Sequence, residues 1–173
     1  MRTIESFRAT SVSLRIASVL GLVLAATAPA ALGGPADEAR QIASQAGFHG
    51  GLVIHVGCGD GRLTAALRLA DNCVVQGLEA DAQRVETARA AIRATGAYGP
   101  VSVIHWRGKK LPYVDNLATL VVCEDAGAVP PAELMRVLRP YGAAAVKRDG
   151  KWTVTVKPKL QGTDEWEQHF HGA

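Results

Sequence analysis

Short apolar, β-branched runs alternate with Ala- and Leu-rich stretches along most of the chain. Asp37 to Ala46 has helical composition and stops at Gly47. Leu52 to Val56 (LVIHV) is uniformly apolar apart from one histidine, the pattern of a strand buried on both faces. Gly57 to Gly61 interrupts it, and Leu63 to Ala70 predicts a helix. Cys73 to Leu78 predicts a second strand. Asp81 is placed to cap a helix running to Thr95, with Val85, Ala88, Ala91 and Ile92 inward and Arg84, Glu86, Arg89 and Arg93 mainly outward. Gly96 closes that helix. Val101 to Trp106 and Leu117 to Cys123 predict strands three and four. Pro130-Pro131 opens a short helix over Ala132 to Leu138, and Ala143 to Val146 is a fifth strand. Asp149-Gly150 signals a hairpin turn into a return strand, Trp152 to Val156. Such alternation predicts an α/β fold: a doubly wound, Rossmann-like, mostly parallel sheet of about five strands in order 3-2-1-4-5, with a C-terminal hairpin.

Composition bounds what this fold can serve. With 173 residues, 48% hydrophobic and 20% charged, the chain has room for one core and is not a disordered polymer. Three cysteines cannot build a disulfide scaffold. Arg2, Arg8 and Arg15 precede the uncharged apolar run Ile16 to Thr27, and Ala28-Pro29-Ala30 follows. This is the layout of a secretory signal peptide over residues 1–30, and an uncleaved anchor is the alternative. Residues 31–156 then form the α/β domain, and 157–173 a tail or linker. The expected location is exported, periplasmic or secreted, with membrane contact only through an uncleaved signal segment. Much of the net charge of +3 lies in that leader, so no nucleic-acid partner is expected.

The strongest chemical signal follows the first strand: His55-Val56-Gly57-Cys58-Gly59-Asp60-Gly61. Glycines 57, 59 and 61 allow sharp backbone turns and close approach of a ligand at the carboxyl end of a strand. Arg62 stands where a dinucleotide fingerprint needs its last glycine, and no Gly-Lys-Ser/Thr follows, which disfavours NAD, FAD and a Walker loop. Glu79 ends the second strand, where a carboxylate can accept both hydroxyls of a ribose.

The segments HVGCGDG and GLEAD resemble the cofactor half of the class I S-adenosylmethionine (SAM) dependent methyltransferases. Leu111-Pro112-Tyr113 is similar to that family's LPF segment. Glu133 to Gly142 (ELMRVLRPYG) is similar to its E-x-x-R-V-L-[RK]-P-G-G turn into strand five. The resemblance spans Ala36 to Val146 and implies a cofactor site of His55, Gly57, Cys58, Gly59, Asp60, Gly61, Glu79, Ala80, Arg107 and Gly108. It implies SAM as cofactor and methyl transfer to an acceptor that the sequence does not name. The alternative is a non-catalytic exported module with a structural or partner-binding role.

This chain departs from the family in four places. His55 replaces the acid that helps place the methionine end, and a neutral imidazole offers no fixed negative charge. Arg107 stands where an acceptor reads the adenine amino group, and a guanidinium has no acceptor. Ala118 and Thr119 fall where strand four often carries an acid. After strand five only a hairpin and tail remain, a truncated version of the family's fold. The tail, with Lys157-Pro158-Lys159, Asp164-Glu165-Trp166 and Phe170-His171, resembles a junction before a β-propeller of the pyrroloquinoline quinone (PQQ) dehydrogenase type, which makes such a propeller or another protein the expected partner.

No catalytic residue and no metal site is identified. His169 and His171 form an H-x-H pair without a third ligand. Arg107, Lys109 and Lys110 form a basic cluster expected to be solvated. Cys58 and Cys123 fall at the carboxyl ends of adjacent strands, within disulfide reach. Two small buried thiols is the simpler reading, and Cys73 is expected to stay unpaired.

Overall fold

The computed structural model describes residues 33–159. The leader read over residues 1–30 and the tail residues 160–173, with His169 and His171, lie outside the described residues. The elements are α1 (Pro35–Ala46), β1 (Gly51–Val56), α2 (Arg62–Ala66), β2 (Cys73–Glu79), α3 (Ala82–Ala94), β3 (Val101–His105), β4 (Ala118–Cys123), α4 (Pro131–Val137), β5 (Leu138–Arg148) and β6 (Lys151–Val156). They form one sheet in the order β3-β2-β1-β4-β5-β6. Strands β1 to β5 pair in parallel, and β6 returns antiparallel on β5. The expected order 3-2-1-4-5 with a terminal hairpin is therefore what the chain adopts.

Local chemistry accounts for the element ends. Pro35 sits in the first turn of α1 with Asp37 and Glu38, where acidic groups favour the helix dipole. Gly47 ends α1 in the left-handed region, and its N–H and that of Phe48 donate to Ser44 and Ala43 carbonyls. Asp81 caps α3 by accepting from the Gln83 N–H at 2.8 Å.

Alternating strand residues feed two cores. Val53, Val75, Val103, Leu120 and Val122 face α1, α2 and α3 through Ile42, Leu67, Val85, Ala88 and Ile92. Ile54, Val56, Leu78, Val121 and Cys123 face α4 through Leu134 and Val137, together with Leu111. With both faces covered, β1 and β4 are nearly continuous runs of buried residues.

Two boundaries differ from the sequence reading. α2 ends at Ala66, not Ala70, because the chain tightens: Arg68 N–H donates to Ala65 and Cys73 N–H to Ala70, turning the backbone into β2. β5 begins at Leu138, not Ala143, and α4 ends one residue earlier. The register shifts between Ala118 and Leu120, so Arg139 to Gly142 form an irregular bridge inside the strand. A Cβ at Gly142 would lie 2.9–3.0 Å from three backbone carbonyl oxygens, those of Arg139, Ala118 and Thr119.

Tyr141, just before it, holds φ at 62° with its side chain half exposed. A non-glycine residue there costs about 1 kcal/mol in local conformation. Tyr141→Gly is expected to leave the unfolding free energy from urea denaturation unchanged or raise it by up to about 1 kcal/mol. A loss above about 1 kcal/mol would show that the ring contributes packing that its exposure conceals.

Candidate functional site

The loop between β1 and α2 is built on left-handed backbone: φ is 74° at Gly57, 53° at Gly59 and 79° at Gly61. Gly57 N–H donates to the Leu78 carbonyl at 2.9 Å, which hooks the loop onto β2. A Cβ at Gly59 would meet nothing within 4 Å, and one at Gly57 only the Glu124 Cβ at 3.5 Å. That side of the loop is open for a ligand to approach. Gly61 has the opposite surroundings, packed against Ala88 of α3.

Glu79 is buried at the end of β2. Its Oε2 accepts from the Gly59 N–H at 2.9 Å, and its Oε1 accepts from Ala80 at 2.9 Å and Asp81 at 3.1 Å. One carboxylate thus joins the glycine loop to the start of α3. A carboxylate has about four acceptor positions, so one remains on Oε2 for a hydroxyl. An open glycine cradle beside an oriented carboxylate fits a ribose-bearing cofactor such as SAM.

The other predicted residues assemble around this pair. The Ala80 carbonyl accepts from Arg107 Nε at 2.8 Å and is 3.0 Å from His105 Nε2. The Arg107 guanidinium is therefore directed at backbone. Gly108 follows in extended positive-φ backbone beside the Trp106 ring. Asp60 is exposed, and it accepts from the Arg62 N–H at 3.0 Å. Lys109 and Lys110 are exposed, as expected for a solvated cluster.

Cys58 is buried under the loop and belongs to the core facing α3, whereas Cys123 belongs to the core facing α4. The sheet separates them, and all three cysteines are free. The disulfide considered from the sequence does not form. Adjacency of strands was not enough, because these side chains point to opposite faces. Burial, with Glu79 adding to it, pushes the Cys58 thiol up to about 12. Alkylation of native protein without reductant is expected to leave the buried thiols unmodified, while denatured protein takes up label at all three. Missing label on two cysteines after denaturation would restore the disulfide.

His55 is fully buried in β1. Its Nδ1 lies 2.8 Å from Thr64 Oγ1 on α2, while Nε2 has no hydrogen-bond partner. The nearest charge is Glu124 Oε1, 3.7 Å from Nε2, a charge contact too long for a hydrogen bond. Glu124 follows β4 directly. His55, then Lys147, hold its carboxyl below the usual range against the opposing effect of burial. Lys147 Nζ on β5 contacts Glu38 at 2.9 Å and Glu124 at 3.3 Å, and stands 5.0 Å over the Trp152 ring. Trp152 Nε1 donates to the same Glu38 oxygen at 2.9 Å. Glu38 first, then Glu124, hold the Lys147 ammonium above its ordinary range against desolvation.

Glu133 and Arg136 have a different task. Glu133 accepts from the Leu111 N–H at 2.7 Å, and Arg136 donates to the Tyr113 and Leu111 carbonyls. This pair fastens the Leu111-Pro112-Tyr113 segment to α4. Tyr113 in turn donates to Gln76 Oε1 at 2.6 Å, and burial raises its hydroxyl.

Thr64, Glu124 and Lys147 were absent from the sequence reading. One signal could have found Glu124: it is the first residue after a central strand, at the ligand-binding edge. Among the described residues no group of three or more His, Cys, Asp or Glu is placed to hold a metal ion, and no helix is long and apolar enough to cross a membrane.

The methyltransferase domain family matches residues 53–147. No curated protein matches the chain. Similar solved structures include a SAM-dependent methyltransferase from Aquifex aeolicus, with 20% identity over 65% of this chain and 67% of that one, at a TM-score of 0.55. Geranyl diphosphate methyltransferase in complex with SAM aligns at 19% identity over 64% of this chain and 48% of that one, TM-score 0.57. The 4+2 cyclase SpnF aligns at 27% identity over 64% and 43%, TM-score 0.54. The chain spans about half the length of several of the solved structures it matches.

Proposed function

The chain belongs to the methyltransferase domain family, and on that premise we propose that it binds SAM at the carboxyl edge of β1 and β2 for methyl transfer. The observation that carries this reading is the Glu79–Gly59 bond, which sets an acidic acceptor beside an open glycine cradle. Gly57 and Gly59 would receive the cofactor against bare backbone, and Glu79 would hold a ribose hydroxyl through its remaining lone pair. Bound there, SAM supplies an electrophilic methyl on sulfur. The chain's own contribution is binding and alignment, which can carry much of such a reaction without a catalytic base. The leader reading adds a location outside the cytoplasm, and the tail reading a propeller-type or other protein partner.

One observation favours a second reading, a non-catalytic module. Glu79 is already engaged by three backbone N–H groups, and Arg107 by the Ala80 carbonyl, so two family contacts are turned toward the protein itself.

Isothermal titration with SAM and with S-adenosylhomocysteine separates the two. Saturable binding, weakened about tenfold or more (~1.4 kcal/mol) in Glu79→Gln, is the expected result. No heat at millimolar ligand from a protein folded by circular dichroism retires the cofactor and leaves the module.

A further inference from the structure

The sheet ends in β3 on one side and β6 on the other, and the chain treats these two edges differently. On β3 the Val101 N–H donates to the Ala97 carbonyl at 3.1 Å, and the Val103 carbonyl accepts from Arg89 Nε at 3.0 Å. Both groups point away from β2. The bonds from Val75 to Pro100 and from Trp106 to Glu79 show which residues face that strand, and directions alternate along the backbone. Local backbone and an arginine from α3 thus close this edge, and a charged side chain there discourages further pairing.

β6 has no such cover. The Lys157 N–H donates to the Gly142 carbonyl at 2.8 Å and its carbonyl accepts from the Tyr141 N–H at 2.9 Å, so both main-chain groups face β5. The register with β5 runs without a break from Lys151 to Val156. Alternation therefore turns the N–H and C=O groups of Trp152, Val154 and Val156 outward. Among the described residues no hydrogen bond reaches these groups. Between Lys151 and Lys157 the strand reads Trp-Thr-Val-Thr-Val, with no charge, proline or bulge to prevent pairing. Val156 is 51% exposed, and Tyr141, which bonds Lys157 at the end of the strand, is 55% exposed.

The strand is also complementary to itself. A second β6, turned about a two-fold axis through Val154, sets Val154 opposite Val154 and Trp152 opposite Val156. Every outward residue then meets an outward residue, the hydrogen-bonded pairing of antiparallel strands. Aromatic and β-branched side chains face each other on the side covered by α1, and Thr153 faces Thr155 on the other. Sliding the strand by two residues either way sets Val156 against the turn residue Gly150 or Trp152 against Pro158, so this register uses the edge most fully. Its adverse pair is Lys151 against Lys157. Lys157 Nζ is drawn aside onto Asn116 Oδ1 and the Leu138 carbonyl, both at 2.7 Å. A self-complementary patch of this kind is what a two-fold dimer requires.

We propose that β6 pairs antiparallel with β6 of a second copy of this chain, about a two-fold axis at Val154, and joins two six-stranded sheets into one. Main-chain bonds supply the affinity of such strand addition. The contact is short, so the dimer is weak and forms at high protein concentration. β4 and β5 stand between this edge and β1, so the pairing does not depend on SAM being bound.

The test is sedimentation equilibrium of the full chain from micromolar to millimolar concentration, with amide hydrogen exchange followed by NMR at both ends of that range. The expected result is a reversible monomer–dimer equilibrium in which the Trp152, Val154 and Val156 amides gain protection as concentration rises. Val156→Lys puts a charge on a half-exposed position and is expected to weaken dimerisation about tenfold or more. Val154→Pro is a second variant. The N–H it removes points outward, so the β5–β6 ladder is kept, and proline is tolerated on such an edge. Loss of the dimer is expected there too, with native circular dichroism in both variants. Should the proline disrupt the fold, Val156→Lys decides alone. A monomer at all concentrations overturns the proposal. Protected amides in that monomer would assign the edge to another segment of the same chain, and unprotected ones would leave it to a strand of a different protein or to none. A dimer that neither variant weakens also overturns it, because association would then run through another surface, the apolar run Ile16 to Thr27 included.

Discussion

Gly61→Val lowers the unfolding free energy by about 3 kcal/mol or more, measured by urea denaturation. Two costs add at this position. Gly61 holds φ at 79°, which a β-branched residue reaches only at roughly 1–2 kcal/mol. A Cβ there would also lie 2.8 Å from the Cα and Cβ of Ala88 and 2.9 Å from its carbonyl oxygen. Those neighbours are backbone atoms of α3 and the Cβ fixed to it, none of which can rotate away, so α3 itself must shift from the sheet. Gly59→Val is the control. It carries a similar conformational cost at φ 53° but meets nothing within 4 Å. The expected difference between the two variants is about 2 kcal/mol. Equal losses would mean that the close approach of loop and helix contributes nothing, and that conformation alone requires the glycine.

Glu79→Ala is expected to cost about 3 kcal/mol, a large loss for one side chain at the rim of a domain. Three backbone N–H groups, those of Gly59, Ala80 and Asp81, lose their acceptor together. Unpaired buried donors cost about 1–3 kcal/mol each, reduced where water enters the vacated space. Glu79→Gln keeps one carbonyl acceptor but turns an amide NH2 toward another donor, so an intermediate loss is expected. Hydrogen exchange gives the local readout: the amides of Gly59, Ala80 and Asp81 exchange faster in Glu79→Ala than in the native protein. Unchanged exchange at those three amides, with unchanged stability, would show that the carboxylate does not organise the loop.

Much of this arrangement was legible because it is local. The glycines at 57, 59 and 61 and the acid at 79 each stand at the end of an apolar run, and period and punctuation suffice to place them. Strand order followed from alternation and the handedness of crossovers. Strand five was read too short because Arg139-Pro140-Tyr141-Gly142 has turn composition. Its pairing depends on Ala118 and Thr119, some twenty residues earlier, whose carbonyls leave no room for a side chain at Gly142. The cluster of His55, Thr64, Glu124, Lys147 and Glu38 was illegible for a related reason. Each residue alone is an ordinary strand, helix or edge residue. Only the 1-4-5-6 side of the sheet, closed over by α1, brings them together.

Glu38 also bears on how a nascent chain reaches this state. Its carboxylate bonds Lys147 and Trp152, which lie 109 and 114 residues further along. α1 packs on α2, β5 and β6, and the latter two are the last strands among the described residues. At translation speeds of ~5–20 residues per second, α1 waits roughly ten seconds for them on the ribosome. Its apolar stripe of Ala39, Ile42 and Ala43 is only partly covered during that interval. Closure over α1 thus comes only once β5 and β6 have been made, and a synonymous slowing of synthesis before residue 152 would lengthen the aggregation-prone interval without changing a single contact.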